Sequence, residues 1–149
     1  MLKVGIGADH GGFEYKNKLV NDLKQLGYEV VDYGTNSSES VDYPEYSYPV
    51  AIDVSLKKID RGIVICGTGI GVSIVANKAK GVRCALVNDV QVAKITREHN
   101  DSNMLAMGAR VIDYNKCFEI SKMWLETEFS NEKRHIDRIR KIGEIENAR

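Results

Sequence analysis

Residues 63–75, "IVICGTGIGVSIV", combine an uninterrupted apolar run with three alternating glycines. An apolar run without polar alternation is typical of a strand that is buried on both faces, as in parallel sheets. The glycines free the backbone for a tight turn into a helix that begins near Ile70. This stretch therefore predicts a strand, loop and helix of an α/β fold, with Cys66 at the carboxyl end of the strand.

The same unit recurs along the chain. Strands are predicted at "LKVGIGAD", "YEVVDYG", "RGIVICG", "VRCALVN" and "NMLAMGARV". A first helix stops at Gly27, a polar loop holds Pro44 and Pro49, and later helices are predicted over residues 50–59, 70–80, 90–99, 115–129 and 131–147. Regular alternation predicts a three-layer, Rossmann-like α/β fold with a five-stranded parallel sheet. A chain of 149 residues fits a single domain, 1–149.

Composition narrows the range of partners. Hydrophobic residues make up 43% of the chain and charged residues 28%, which is the balance of an ordinary globular protein. The 21 basic and 21 acidic side chains cancel, so no global field attracts nucleic acid or an anionic membrane. The amino terminus lacks the features of a signal peptide, and no apolar stretch is long enough to span a bilayer. We therefore expect a cytoplasmic protein.

Unusual polar segments adjoin four of the predicted strands. They are "GADHGG" after the first strand, "ESVDYPEY" after the second, "CGTGIG" after the third and "REHND" just ahead of the fifth. Ligands of open parallel sheets bind at the carboxyl ends of the strands. We expect all four segments to meet at that edge.

The three glycines and the thiol each allow two interpretations. Gly67, Gly69 and Gly71 fit a cradle of backbone N–H groups for an anion, or a tight turn without a ligand. Cys66 fits a buried core side chain, or a thiolate at a helix N-terminus that serves as a nucleophile or base. Cys84, in mid-strand, is expected in the core.

Cys117, on an amphipathic helix, is also expected in the core. Three cysteines without a C-x-x-C pair argue against a disulfide framework or a cysteine zinc site, so we expect reduced thiols. A thiol redox protein would need a second cysteine near Cys66, and Cys84 could supply it only from an adjacent strand. A nucleotide-binding module is a poor fit, because neither glycine-rich loop completes G-x-G-x-x-G or the P-loop pattern.

Two histidines and two arginines are further candidates. His10 and His99 each adjoin Asp or Asn side chains, which suits an acid/base role or simple solvation. Arg134 and Arg138 are four residues apart on one helix face, which suits a phosphate or a solvated charged face.

Together these segments resemble the type B ribose 5-phosphate isomerases and their relatives, which include allose 6-phosphate and galactose 6-phosphate isomerases. The likeness covers nearly the whole chain. It rests on six ordered motifs: "GADHGG", "SVDYP", "GIVICGTGIGVSI" with "ANK", "REHND", "GARV", and "RH" followed by Arg138.

The resemblance implies interconversion of D-ribose 5-phosphate and D-ribulose 5-phosphate without a metal or organic cofactor. Cys66 matches the base that moves a proton between C2 and C1, and Thr68 matches the hydroxyl that handles the proton on oxygen. The remaining roles implied are an enediolate cradle at Gly67, Gly69, Ile70 and Gly71, ring opening by Asp9 and His99, substrate contacts from Tyr43 and Asn100, and phosphate contacts from His10, Arg110, Arg134 and Arg138. A six-carbon sugar phosphate is the alternative substrate, and a thiol redox protein is the alternative from another class.

The resemblance also implies a homodimer with shared active sites, with a tetramer as a further possibility. In that arrangement the helix over residues 131–147 packs on the partner subunit. Asn100, Arg110 and this helix would then reach the partner's Cys66.

Overall fold

Five parallel strands form the sheet in the computed structural model, which describes residues 1–148. They are β1 (Lys3–Ala8), β2 (Glu29–Asp32), β3 (Arg61–Cys66), β4 (Cys84–Leu86) and β5 (Met104–Gly108). Their order across the sheet is β2-β1-β3-β5-β4, so the central strand is β3 and the edge strands are β2 and β4. The predicted five-stranded parallel sheet is confirmed.

Helices cover both faces of this sheet. They are α1 (Phe13–Gln25), α2 (Pro44–Ser55), α3 (Ile70–Ala76), α4 (Val90–Asn100), α5 (Tyr114–Glu126) and α6 (Lys133–Asn147). One apolar core lies between the sheet and α1, α4 and α5, and a second lies between the sheet and α2 and α3. The three-layer α/β architecture is confirmed. Helix α6 lies outside these layers and touches α4, and its packing on a partner subunit stays a prediction.

Helix α2 begins earlier than predicted, and the proposed loop around its two prolines is wrong. Pro44 occupies the first turn, where a backbone N–H would have no helical partner. Pro49 lies inside the helix with its side chain exposed. The helix tolerates it because its other face is buried, at Val50 and Val54 among others.

The same helix also ends earlier than predicted. The N–H of Lys57 donates to the carbonyl of Val54 at 3.0 Å, and the N–H of Lys58 donates to that of Asp53 at 2.8 Å. This is the Schellman pattern of helix termination, which usually places glycine in the left-handed region. Here the left-handed residue is Lys57, with φ +59°, so the sequence carries no visible stop signal.

Helix α3 ends at Ala76, although the sequence predicted that it continues to Lys80. The side chain of Asn77 explains the difference. Its amide nitrogen donates to the carbonyls of Ser73 and Cys84, and its oxygen accepts from the N–H of Cys84 at 2.8 Å. These bonds end the helix and fasten the following turn to β4.

The segment 97–101, "REHND", lies at the opposite edge of the sheet from the one predicted. In the β3–β5 register, Gly62 pairs with Met104 at the amino ends, and Cys66 pairs with Gly108 at the carboxyl ends. Residues just ahead of β5 therefore belong to the amino edge. Gly62 and Cys66 are four residue steps apart along the strand, so the two edges are about 13 Å apart.

Residues 1–148 contain neither a membrane-spanning helix nor a metal-binding cluster. None of the helices described is long and apolar enough to cross a membrane. No group of three or more His, Cys, Asp or Glu side chains in this part of the chain could hold a metal ion.

Candidate active site

Cys66 lies at the carboxyl end of β3 and is 6% exposed. Its Sγ accepts a hydrogen bond from the N–H of Gly69 at 3.1 Å. Gly69 has φ +78°, and a Cβ there would lie 2.6 Å from Cδ1 of Leu86 and 2.8 Å from the carbonyl carbon of Met107. Only glycine fits this turn, and the turn aims an amide at the sulfur. An N–H donor in this position stabilises negative charge on sulfur.

The loop between β3 and α3 also presents free backbone amides. The N–H groups of Gly67, Thr68 and Gly71 pair with no acceptor within residues 1–148. The Oγ1 of Thr68 accepts from the N–H of Ile70 at 3.2 Å, which leaves the exposed hydroxyl its own proton to donate. Unpaired amides around one turn form a concave site for an oxyanion.

Arg110 lies beside this loop in its own chain. The N–H of Ala109 donates to the carbonyl of Cys66, and the N–H of Arg110 donates to that of Gly67, both at 2.9 Å. A Cβ on Gly67 would lie 3.1 Å from Nη1 of Arg110. The expectation that Arg110 reaches across to the partner subunit is therefore corrected, because its backbone and guanidinium both pack on the loop that follows its own Cys66.

Asp9 holds the neighbouring loop, which follows β1. Its Oδ1 accepts from the N–H groups of Gly11 at 2.8 Å and Gly12 at 3.2 Å, and the residue is 8% exposed. A Cβ on Gly11 would lie 3.1 Å from the amide nitrogen of Gly67, so the two loops touch. The carboxylate keeps its second oxygen free for another proton partner.

His10 and Tyr43 line the same edge. The Nδ1 of His10 accepts from the N–H of Val41 at 3.1 Å, so a neutral ring carries its proton on Nε2, where it can donate to an anion. Tyr43 precedes α2, and a Cβ on Gly71 would lie 2.6 Å from Cε1 of its ring. The tyrosine thus packs directly on the first turn of α3.

The sequence-predicted residues fall into two groups. The carboxyl-edge group comprises Asp9, His10, Tyr43, Cys66, Gly67, Thr68, Gly69, Ile70, Gly71 and Arg110. The amino-edge group comprises His99 and Asn100 at the end of α4, with Arg134 and Arg138 on α6. Within one chain His99 therefore does not reach the Cys66 sulfur, because the two groups lie at opposite ends of the strands.

Arg97 anchors the end of α4, although it is 3% exposed and carries a charge. Its Nε donates to the carbonyl of Thr127 at 3.0 Å. Its Nη1 donates to Oδ1 of Asp101 at 2.8 Å and to the carbonyl of Ser102 at 2.7 Å. These bonds fix the end of α4 to the connection that leads into α6.

A comparison with protein families identifies the family of this chain. The family described as Ribose/Galactose Isomerase matches residues 4–142, nearly the whole chain. The chain belongs to the Ribose/Galactose Isomerase family. Ribose-5-phosphate isomerase B of Escherichia coli is 42% identical over 100% of this chain and 99% of its own length. D-erythrulose-4-phosphate isomerase of Pectobacterium atrosepticum is 41% identical over 87% of this chain and 86% of its own.

Solved structures agree with this membership in the Ribose/Galactose Isomerase family. Ribose-5-phosphate isomerase B of Clostridium thermocellum superimposes with a TM-score of 0.96 and 49% identity, covering 99% of both chains. The likeness spans both edge groups and α6. The resemblance stated from the motifs is confirmed.

The other two thiols of this Ribose/Galactose Isomerase family member are unlike Cys66. Strand β5 lies between β3 and β4, so Cys84 is not on a strand adjacent to that of Cys66, and the condition for a thiol redox pair fails. Cys84 is the first residue of β4 instead of lying in mid-strand as expected. Burial raises the pKa of the Cys84 and Cys117 thiols to about 12, so both are protonated near neutral pH.

Sequence reasoning missed His135. It lies on α6 between the two arginines and is the only buried residue of that helix. Its ring stacks on His99, with centroids 4.3 Å apart and planes 17° apart. A usable signal was present, because His135 is four residues ahead of Ile139 and seven ahead of Ile142, on the same helix face.

Proposed function

We propose that the protein is an aldose–ketose isomerase that interconverts D-ribose 5-phosphate and D-ribulose 5-phosphate. The observation that carries the proposal is the Cys66 sulfur, which is hydrogen-bonded to Gly69 and borders the unpaired amides of Gly67, Thr68 and Gly71. A base beside an oxyanion cradle suits proton transfer next to a carbonyl. The names of the Escherichia coli and Clostridium thermocellum relatives support the same substrate.

The proton transfer proceeds through an enediolate. The Cys66 thiolate takes the proton from C2 of the open-chain aldose, and the electron pair of that bond forms the C1–C2 double bond as O1 gains negative charge. The amides of the cradle hold this charge. The thiol then returns the proton to C1, while the Thr68 hydroxyl moves a proton from O2 to O1, and the ketose forms.

Ring opening precedes this step, because ribose 5-phosphate exists mainly as a furanose. In the proposed scheme Asp9 takes the proton of the anomeric hydroxyl, the bond from C1 to the ring oxygen breaks, and His99 donates a proton to the ring oxygen. Tyr43 and Asn100 contact the sugar. The cations assigned to the phosphate are His10, Arg110, Arg134 and Arg138. The scheme uses no metal or organic cofactor.

The scheme requires a second copy of the chain. The carboxyl-edge group contains the sulfur and the amino-edge group contains His99, so a complete site combines the two from different subunits. Helix α4 runs from one edge to the other over 11 residues, about 16 Å. In the proposed dimer, two copies pack α4 against α4 in antiparallel orientation about a twofold axis, which would bring each His99 to the edge of the sheet that holds the partner's Cys66.

Exposed apolar side chains support that pairing. They lie on α3, β4, α4 and α6, where a partner would cover them: Ile70, Ile74, Leu86, Val92, Ile95, Ile136, Ile142 and Ile145, each 38–69% exposed. Large apolar side chains exposed in such number on neighbouring elements favour an interaction site. We assign this face to the subunit interface of a homodimer, or of a tetramer built from such dimers. We also propose that the protein acts in the cytoplasm.

Replacement of the sulfur tests the proposed function. In Cys66→Ala, we expect turnover of ribose 5-phosphate to fall by about 10²–10⁴-fold while the substrate still binds, because the base is lost and the cradle stays. Cys84→Ala is the matched control and should retain turnover. The assay contains a chelator to exclude adventitious metal. A Cys66→Ala enzyme with unchanged turnover would leave the reaction without its base and refute the scheme.

Substrate length is a separate question, since the family description also includes galactose. Catalytic efficiencies on ribose 5-phosphate, allose 6-phosphate and galactose 6-phosphate decide it. We expect the pentose to be preferred. A preference of about tenfold or more for a hexose phosphate, equal to about 1.4 kcal/mol in transition-state binding, would assign the enzyme to the six-carbon substrate.

A further inference from the structure

His135 is buried against His99 without an obvious structural purpose. It is 4% exposed, and its Nε2 has no hydrogen-bond partner within residues 1–148. The nearest carboxylate oxygen, Oε2 of Glu132, is 3.5 Å away, which is too long for a good hydrogen bond. A buried polar atom without a partner destabilises a fold, so an apolar residue would pack here at lower cost. Apart from this unpaired nitrogen, the distinctive contact of His135 is its ring face, which stacks on His99.

The stack restricts a side chain that is otherwise free. His99 is exposed and lies one residue before the end of α4, so its imidazole has few neighbours to define its orientation. Ring centroids 4.3 Å apart and planes 17° apart leave the ring little freedom to rotate out of the stack. The edge of the His99 ring, with its nitrogens, stays open to a ligand.

Charged groups from both packed helices face His135. They are Glu132, the residue just before α6, with Arg134 and Arg138 on α6 and His99 on α4. Burial, together with the positive charges of Arg134, His99 and Arg138, lowers the pKa of His135, against the opposing effect of Glu132. The His135 ring is therefore neutral near pH 7. A neutral ring lets His99 gain a proton without a second imidazolium in contact with it.

We propose that His135 is a positioning residue that holds the His99 imidazole for proton donation to the ring oxygen of a cyclic sugar phosphate. The proposal rests on the proposed function, in which His99 acts in ring opening and Cys66 acts afterwards. It assigns to His135 an effect on ring opening alone. The later transfer between C2 and C1 does not depend on the stack.

The two directions of the reaction separate these steps. Ribose 5-phosphate closes a furanose ring and must be opened. Ribulose 5-phosphate cannot close a five-membered ring, because the phosphate occupies its C5 oxygen, so it reaches the Cys66 base without ring opening. A variant that impairs only ring opening loses efficiency on ribose 5-phosphate. On ribulose 5-phosphate it keeps its initial rate, since the open aldehyde can leave and close in solution.

Two apolar replacements of similar burial test the role of the ring face. His135→Leu fills the space without an aromatic face, and we expect kcat/KM on ribose 5-phosphate to fall about tenfold or more, with ribulose 5-phosphate within about twofold of wild type. His135→Phe keeps the face and should remain within about threefold of wild type on both substrates. His99→Asn serves as the reference and should show the same directional split.

The following results would overturn either the positioning role of His135 or the proposed function. Equal losses in both directions for His135→Leu, or equal behaviour of the Leu and Phe variants, would overturn the positioning role. A split in His99→Asn without one in His135→Leu would overturn it as well, and the proposed function would stand. A wild-type enzyme that turns over neither substrate would instead refute the proposed function itself.

Discussion

The hydrogen bond from the Gly69 amide to the Cys66 sulfur depends on one backbone conformation that side chains rarely adopt. At φ +78°, Gly69 turns its N–H back toward the sulfur three residues earlier. A Cβ at this position would meet both Leu86 and Met107. The hydrogen bond to the sulfur therefore depends on Gly69, which the alternating glycine pattern had already predicted to lie in a turn.

Selective alkylation should identify Cys66 as the reactive thiol. At pH 8, iodoacetamide should modify one cysteine per chain, Cys66, because thiolates react and the raised pKa of Cys84 and Cys117 keeps them protonated until about pH 11 to 12. Peptide mass spectrometry across pH 6–11 measures this. If exposure alone governed alkylation, Cys84 would react first, because it is more exposed than Cys66. Early labelling of Cys84 would therefore contradict the assignment.

Individual residues were predictable from sequence where local backbone geometry decides their role. The roles of the glycines in the β3–α3 loop and of Cys66 at the end of β3 were predictable because a strand, a turn and a helix follow one another there. The stack of His135 on His99 was not predictable in this way, because it joins residues 36 positions apart through the path of the connection between α5 and α6.

Helix α2 shows why element boundaries were harder to predict. Its prolines suggested a loop, but Pro44 occupies the first turn and Pro49 faces solvent. Its end is set by Lys57 in the left-handed region, where glycine is the usual residue. The existence of the helix followed from apolar periodicity, whereas its limits depend on backbone conformations that the residue types conceal.

Replacement of Lys57 by glycine should stabilise the protein. The left-handed conformation costs a lysine about 1–2 kcal/mol, and glycine loses about 0.5–1 kcal/mol through its freer unfolded chain, so Lys57→Gly should gain about 0.5–1 kcal/mol in unfolding free energy. Thermal unfolding should show a rise of about 1–4 °C in Tm. Lys58→Gly removes the same charge one residue later, outside the left-handed region, and should give no gain. Equal shifts in both variants would argue against relief of backbone strain.

The separation of the two edge groups follows from strand direction alone. A segment that precedes a parallel strand lies at the amino edge, so "REHND" could have been assigned there from the predicted topology. The strand order could not, because the insertion of β5 between β3 and β4 depends on pairings between distant segments. Thus the layers, the carboxyl-edge group and the division of the site between two edges were predictable from strand direction, and the order of the strands was not.

Complementation between two variants that are each impaired on ribose 5-phosphate tests whether sites are shared. Chains carrying Cys66→Ala and chains carrying His99→Asn, produced together, form mixed dimers in which one site has both native residues. Random pairing should restore about a quarter of the wild-type turnover of ribose 5-phosphate, because about half of the dimers are mixed and each has one intact site. Each variant produced alone gives the baseline. If a co-produced sample showed only the average of the two baselines, each site would belong to a single chain.

The position of β5 also governs when the sheet can be completed during synthesis. The last strand to leave the ribosome is flanked by β3 and β4, so β4 has no pairing partner until residue 108 has emerged. Until then the nascent chain exposes an unpaired edge of β3 and one of β4, and both can pair wrongly with other chains. A polypeptide interrupted before that residue should accumulate in inclusion bodies, while slower translation just beyond it should leave the yield of folded protein unharmed.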